Sequence, residues 1–437
     1  MCLCSFLYLN SYKHLSDHTI IFLNYVNSVD HLTPIIWGFL EKYPEYIILA
    51  YDLNDNEFDF RVKFLKTFNR FYYIKNTIYD GTRRKLFFNN RLIMFLSSYE
   101  LFIPLHKLLT KYFIPNRLFN KFNISCLIYE WGCVGRINHF DGIYSGIPAL
   151  LLPHGSSIAK KQVWAIGKTR NNLRCEFIPQ NLFDLHAVQT TKEVEDFLQL
   201  GVDKSIITAI GNQRFSFEWI DIQASFLPIY YSPFSVSNNT KCLVFLADNR
   251  YGGDRVKLIK LINGIVKLKT VNIVFCVRPD VFKGLGIDME IFNKNSTIID
   301  FKTPPASLID WSEVVINFGS SIVIEAILKK KKVINLMFFQ ENQTSVFSGL
   351  GLAEETSSVN EVFRLISEIK SWKVKTDESV LVSFLDTINP SVNDGESQIE
   401  FACRKIILFT KYKLDYRKKF KLHNSLAVKT YKLLKLK

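Results

Sequence analysis

His154 stands between Pro153 and Gly155, with Ser156 and Ser157 following. An imidazole titrates near neutrality, so a histidine held at such a corner can act as a general base. It can equally hydrogen-bond the backbone of its own turn. A second group lies about 165 residues on, at Gly319-Ser320-Ser321, with Glu325 one helical turn beyond Ser321. The glycine lets a ligand approach the backbone, and the serines can cap a helix whose free N–H groups and dipole attract phosphate. On that helix Glu325 could accept hydrogen bonds from a ribose diol; the plainer alternative is a capped helix with a solvated carboxylate. Arg278, ahead of Pro279-Asp280, could make a bidentate contact to a diphosphate or sugar acid, or pair with Asp280. Arg250 sits in the loop Asp248-Asn249-Arg250-Tyr251-Gly252-Gly253-Asp254, which has the glycines of a phosphate-cradling turn but neither Walker nor dinucleotide spacing. His31 follows a first apolar run and is a weaker candidate for the same kind of work as His154.

These residues share a context. Ala149–Leu152 and Val314–Asn317 are short apolar runs that end abruptly in small and polar residues. Buried parallel strands end this way, and ligands of open α/β sheets bind at such ends. Strand-like runs over 18–26 and 45–52 flank a helical pattern over 32–43, which predicts a βαβ opening and a parallel sheet. Residues 60–120 read as mostly helical. Further strands are expected at 123–130 and 184–189. Thr190-Thr191-Lys192-Glu193 reads as a capping box opening a helix that Gly201 closes. The rhythm is lost over 216–240, with Pro228, Pro233 and a polar stretch, and restarts at Cys242. The expected helix after Val314–Asn317 runs from Ser320 to Leu328. The organisation expected is a first Rossmann-like domain over 1–215, a linker over 216–240, a second Rossmann-like domain over 241–395 and a basic helical tail over 396–437. The fold class is α/β, with two such domains facing a central cleft.

Composition narrows the function. Hydrophobic residues make up 48% of the 437 and charged residues 22%, which is globular rather than disordered. The net charge is +14, yet residues 404–437 hold twelve Lys and Arg against Asp415 alone, a net +11. The charge therefore belongs to the tail. With leucines interleaved, the tail suits an anionic membrane surface; packing on the protein and nucleic-acid binding are the alternatives, and no nucleic-acid partner is expected. The eight cysteines are scattered, as free thiols in a reducing compartment would be. No apolar run reaches a membrane span, and the N-terminus lacks the marks of a signal peptide. No carboxylate pair stands convincingly at a strand end, so no metal is expected.

The strand followed by Pro153-His154-Gly155, and the later Gly319-Ser320-Ser321 with Glu325-Ala326, Lys331 and Val333-Ile334, together resemble bacterial GT-B glycosyltransferases. The likeness is to capsule and surface-polysaccharide transferases and to CDP-glycerol glycerophosphotransferases. It implies two Rossmann-like domains and metal-independent transfer with no cofactor, the nucleotide-sugar being a substrate. It also implies that Ser320, Ser321 and Glu325 hold donor phosphate and ribose, that Arg278 contacts phosphate or a sugar acid, and that His154 is the general base or an acceptor-side group; Gly319 and Arg250 are expected beside the donor, and Gly155, Ser156 and His31 on the acceptor side. A C-terminal helix returning to the first domain fits the family too. The only histidine after His186 is His423, in the tail, which counts against glycerol-phosphate transfer; eight residues beyond Glu325 stands Val333, not Glu, which favours inversion.

The function expected on this likeness is transfer of a sugar from a nucleotide-sugar to a glycan or lipid-linked acceptor of surface-polysaccharide assembly, such as capsule or O-antigen. The setting expected is cytoplasmic, peripheral on the inner face of the plasma membrane. A sugar-nucleotide enzyme of the UDP-N-acetylglucosamine 2-epimerase type is the alternative, and a non-catalytic basic membrane-binding scaffold the third possibility.

Overall fold

The computed structural model describes residues 18–24, 28–52, 57–75, 124–130, 147–153, 181, 183–234, 238–245, 254–276, 295–299, 303–318, 320–339, 349–371, 377–390, 392 and 394–412. The chain divides into two compact units. The first comprises Met1–His154, Arg174–Gln213 and Val392–Lys437; the second comprises Gly155–Leu173 and Arg214–Ser391.

The first unit is built on a parallel sheet of seven strands: β1 (His18–Asn24), β2 (Tyr46–Asp52), β3 (Phe71–Lys75), β4 (Ile124–Glu130), β5 (Ala149–Leu152), β6 (Leu185–Val188) and β7 (Ile207–Ala209). Their spatial order is β3-β2-β1-β4-β5-β6-β7. The chain reverses direction across the sheet between β1 and β4, which pair in parallel at Ile20↔Cys126. Apolar runs such as Ala149-Leu150-Leu151-Leu152 are buried along their whole length, because helices cover both faces of a parallel sheet.

Helix α1 (Ser28–Lys42) follows β1, α2 (Phe60–Leu65) precedes β3, and α3 (Thr191–Gln199) joins β6 to β7. The Thr190 hydroxyl accepts from the Glu193 N–H and the Glu193 carboxylate accepts from the Gln189 N–H, completing the expected capping box. Gly201, at φ 95°, closes that helix.

Two expectations for this unit are corrected. The helix after β1 starts at Ser28, not Leu32, so His31 lies in its first turn and is buried, and Pro34 is interior. Asp30 supplies the acidic first turn that the helix dipole favours, and it pairs with Arg61. The aromatic stretch after 60 holds the edge strand β3 as well as a helix; it pairs in parallel with β2 through Ile48↔Phe71. Most of the remaining 60–120 stretch lies outside the described residues.

The second unit carries a parallel sheet of six strands: β8 (Thr240–Phe245), β9 (Val271–Cys276), β10 (Ser296–Ile299), β11 (Val314–Asn317), β12 (Lys332–Leu336) and β13 (Glu354–Thr356). Their order is β10-β9-β8-β11-β12-β13, so the direction reverses between β8 and β11. Its helices are α4 (Phe217–Phe226), α5 (Arg255–Ile265), α6 (Pro305–Trp311), α7 (Val323–Leu328), α8 (Val359–Ser367) and α9 (Glu378–Ile388). Alternate residues of β8 serve opposite faces. Cys242 and Val244 pack with Leu258 and Leu261 of α5 and Val362 of α8. Leu243 and Phe245 pack with Leu308 of α6, Val323 of α7 and Phe384 of α9. That alternation is the two-residue period of a strand between two helical layers.

Helix α4 occupies part of the stretch expected as a linker. Ser216 caps it by accepting from the Trp219 N–H, and Trp219, Ile220 and Gln223 are buried; the prolines break the chain only after it. A last helix, α10 (398–412), belongs to the first unit and packs on α1. There Lys42 Nζ lies 3.3 Å from Glu400 and the Cys403 thiol donates to the Ile35 carbonyl at 3.6 Å. A Cβ on Gly38 would run into Ile399 Cγ2 and the Cys403 sulfur, so only glycine permits this approach.

Among the described residues, Cys126, Cys242, Cys276 and Cys403 are buried thiols outside any disulfide. Burial pushes the Cys126 and Cys242 thiols up to about 12, which leaves them inert. No helix among the described residues is long and apolar enough to cross a membrane.

Candidate functional site

In the second unit the strand ends flank the reversal between β8 and β11, where Asn317 pairs with Phe245. Open α/β sheets bind ligands at such a point. Asn317 is fully buried, and its amide does two things. Its Nδ2 donates to Asn335 Oδ1 at 3.2 Å, tying β11 to β12, and its Oδ1 accepts from the Ser320 N–H at 3.2 Å. Asn335 is held in turn by the Thr356 hydroxyl, which donates to its carbonyl at 3.3 Å. The amide ladder thus fixes where the chain leaves the sheet.

The turn that follows differs from the expected cap. Helix α7 begins at Val323, with Ile322 at the N-cap position and no side-chain cap. Ser320 and Ser321 precede it in a turn: their carbonyls accept from the Val323 and Ile324 N–H groups, and the Ser320 hydroxyl accepts from the Ile322 N–H at 3.4 Å. The apolar run Ile322-Val323-Ile324 is buried, so the helix starts where burial demands it.

Glu325 is not a solvated carboxylate. It is 1% exposed, and its Oε1 lies 3.3 Å from Lys329 Nζ one turn on. Lys329 also reaches Asp310 of α6 at 2.8 Å. Arg214, at the start of the unit, feels the same carboxylate: burial lowers its guanidinium, and the charge of Glu325 opposes that. Glu325 and Lys329 form a buried ion pair beside α7 that Arg214 reinforces electrostatically, and the half-exposed Asp310 ties Lys329 to the surface. Charges this buried persist only when paired. Arg214, Lys329 and Asp310 were not singled out from the sequence. The available signals were the i,i+4 spacing of Glu325 and Lys329 and the polar run Gly211-Asn212-Gln213-Arg214 shortly after β7.

Pro153 follows the end of β5 as expected, while His154, Gly155, Ser156, Gly319, Arg250 and Arg278 lie outside the described residues. His186 is a buried histidine in the middle of β6. Its ring stands edge-on to Phe197 with centroids 4.8 Å apart, and burial lowers its imidazole to about 3. Among the described residues no group of His, Cys, Asp and Glu is placed to hold a metal ion.

No protein-family model matches the sequence, and no curated protein matches it. Solved structures do match the fold. The UDP-GlcNAc 2-epimerase of Neisseria meningitidis, bound to UDP-GlcNAc, aligns over 89% of this chain and 98% of its own at 14% identity, with a TM-score of 0.54. The UDP-GlcNAc 2-epimerase of Methanocaldococcus jannaschii, in complex with UDP-GlcNAc and UDP, aligns over 90% and 99% at 14% identity, TM-score 0.53. HepE of Anabaena, in complex with UDP-glucose, aligns over 90% and 99% at 11% identity, TM-score 0.52. The fold is therefore the GT-B-like pair of Rossmann-type units expected from the sequence. The expectation of glycosyl transfer is corrected: epimerases of UDP-GlcNAc recur among these structures, and no sequence match ties the chain to capsule or glycerophosphate transferases.

Proposed function

We propose that this protein is a sugar-nucleotide enzyme that acts on a UDP-linked N-acetylhexosamine without a second substrate, in the manner of a UDP-N-acetylglucosamine 2-epimerase. The observation that carries this reading is the end of β11. The Asn317–Asn335 ladder presents the Ser320-Ser321 turn at the strand-order reversal of a six-stranded parallel sheet, in a fold shared with such epimerases. The serine hydroxyls there suit the diphosphate, with Gly319 allowing close approach and Arg250 and Arg278 adding charge. Glu325 would take the ribose, which requires its carboxylate to share itself between Lys329 and the diol. His154 would hold or move a proton at the sugar, with Gly155 and Ser156 beside it.

Inversion at a carbon that bears hydrogen removes that proton and returns one. Incubating the full chain with UDP-N-acetylglucosamine alone in deuterated water is therefore the decisive experiment. The expected result is a second UDP-N-acetylhexosamine, with deuterium at the inverted carbon, formed without acceptor. An unchanged donor that still binds, seen as a thermal shift with UDP, would refute the epimerase reading while leaving nucleotide binding standing.

A further inference from the structure

We propose that the outer face of α10, together with the basic segment after it, docks on an anionic lipid surface. This does not depend on the reaction proposed above. One side of α10 is committed inward: Ile399, Ala402, Cys403, Ile406 and Thr410 are buried. At 3.6 residues per turn, Lys405, Leu408, Lys411 and Tyr412 fall on the opposite side. Leu408 is 53% exposed and Tyr412 66% exposed, an aliphatic and an amphipathic aromatic side chain one turn apart in water. Lys411 is exposed beside them, and Lys405 lies with its Nζ 5.2 Å over the Phe401 ring.

The acidic groups nearby are already engaged. Glu396 binds Arg404 through both oxygens, at 2.6 and 2.8 Å, and Glu400 pairs with Lys42. The face therefore presents apolar and cationic groups with its nearby acids occupied. The chain then continues through Lys413, Arg417, Lys418, Lys419, Lys421, Lys429, Lys432, Lys435 and Lys437 against one Asp415, with leucines and aromatics between them. Apolar side chains flanked by lysines match the boundary between anionic headgroups and acyl chains. A nucleic acid would use the lysines but would leave Leu408 and Tyr412 without a role.

The test is co-sedimentation of the full chain with vesicles of phosphatidylglycerol and phosphatidylethanolamine, or of phosphatidylcholine alone, at low and high salt, with random-sequence duplex DNA as a competitor. Binding is expected to the anionic vesicles only and to weaken with salt. Lys418→Glu with Lys419→Glu and Lys421→Glu should weaken it by about 100-fold, at roughly fivefold per cation lost. Leu408→Asp with Tyr412→Asp should weaken it by about tenfold or more, through lost apolar burial together with the repulsion of two added carboxylates. Leu408 and Tyr412 are exposed on α10, so circular dichroism of that variant should match the parent, and the same measurement checks the lysine variant. Equal binding to neutral vesicles, no vesicle binding, or anionic binding untouched by Leu408→Asp with Tyr412→Asp would overturn the proposal. So would DNA that displaces the vesicles completely while binding the Leu408 and Tyr412 variant as well as the parent; the partner would then be a nucleic acid.

Discussion

Replacing Lys329 by Met should destabilise the second unit far more than its place on a short helix suggests. Lys329 Nζ stands 3.3 Å from the Glu325 carboxylate, and the two side chains are 10% and 2% exposed. At that distance, with an effective dielectric of about 20, the attraction is about 5 kcal/mol. Removing one member leaves the other charge buried and uncompensated, at a cost of about 3–5 kcal/mol. Arg214 also acts on Glu325, so the lower end, about 3 kcal/mol, is expected. Asp310, the other partner of Lys329, has a side chain 49% exposed, and Asp310→Asn should cost at most about 1 kcal/mol. Glu325→Gln with Lys329→Met removes both members of the pair and should recover part of the loss, since Arg214 then gives up the counter-charge of Glu325. Urea unfolding of the three variants and the parent measures each number. A Lys329→Met variant within about 1 kcal/mol of the parent, or a double variant no better than the single, would refute the buried ion pair. In the partly recovered double variant, the affinity for UDP then reports on Glu325 as a ribose contact with less of a folding defect in the way.

Other substitutions probe separate features. Gly38→Ala drives a methyl into Ile399 and Cys403, and should cost about 1–3 kcal/mol in urea unfolding by prising α10 from α1. Lys330 ends α7 at φ 54°, so Lys330→Gly should stabilise by about 0.5–1 kcal/mol, seen as a raised urea midpoint. Asn317→Leu breaks the ladder to Asn335 and frees the Ser320 turn; it should cost about 1–3 kcal/mol in urea unfolding and weaken UDP binding in calorimetry. His186, lowered from 6.5 to about 3 by burial, stays neutral in the folded protein while the unfolded chain takes up a proton. Its contribution is therefore complete above pH 6.5 and is lost as pH falls towards 3. Between pH 7 and pH 5 the loss should be about 2 kcal/mol, and His186→Leu should remove that part of the slope.

The strands that carry the fold were legible because they are apolar runs with hard ends. Ala149–Leu152 and Val314–Asn317 stand where the sequence put them, and the Thr190 capping box and Gly201 close their helix as read. The edge strand β13 was not legible, since Glu354-Glu355-Thr356 has no apolar pattern and pairs only because β12 offers an open edge. The start of α1 was missed because Ser28-Val29-Asp30-His31 looks like a polar loop, and becomes helical through a buried Val29 and the Asp30–Arg61 pair. The charged group around Glu325 was the least legible part. Asp310 and Lys329 are nineteen residues apart and Arg214 lies over a hundred from Glu325, so only the folded sheet brings them together. The reaction class was misjudged because short Gly-Ser-Ser and Pro-His-Gly strand ends mark a fold and do not, of themselves, distinguish moving a sugar from altering one.

The docking of α10 on α1 sets the order in which this chain can finish folding. The first unit contains both the earliest residues and the last, while the second, from Arg214 to Ser391, is nearly continuous. During synthesis the second unit has all six of its strands once residue 356 has emerged. The first unit must wait. Until 398–412 leaves the ribosome, the α1 surface around Ile35 and Gly38 lacks its α10 contacts, although the strands beside it were made hundreds of residues earlier. The first unit can therefore complete the packing of α1 only after its final described helix is made, whereas the second has its strands well before that.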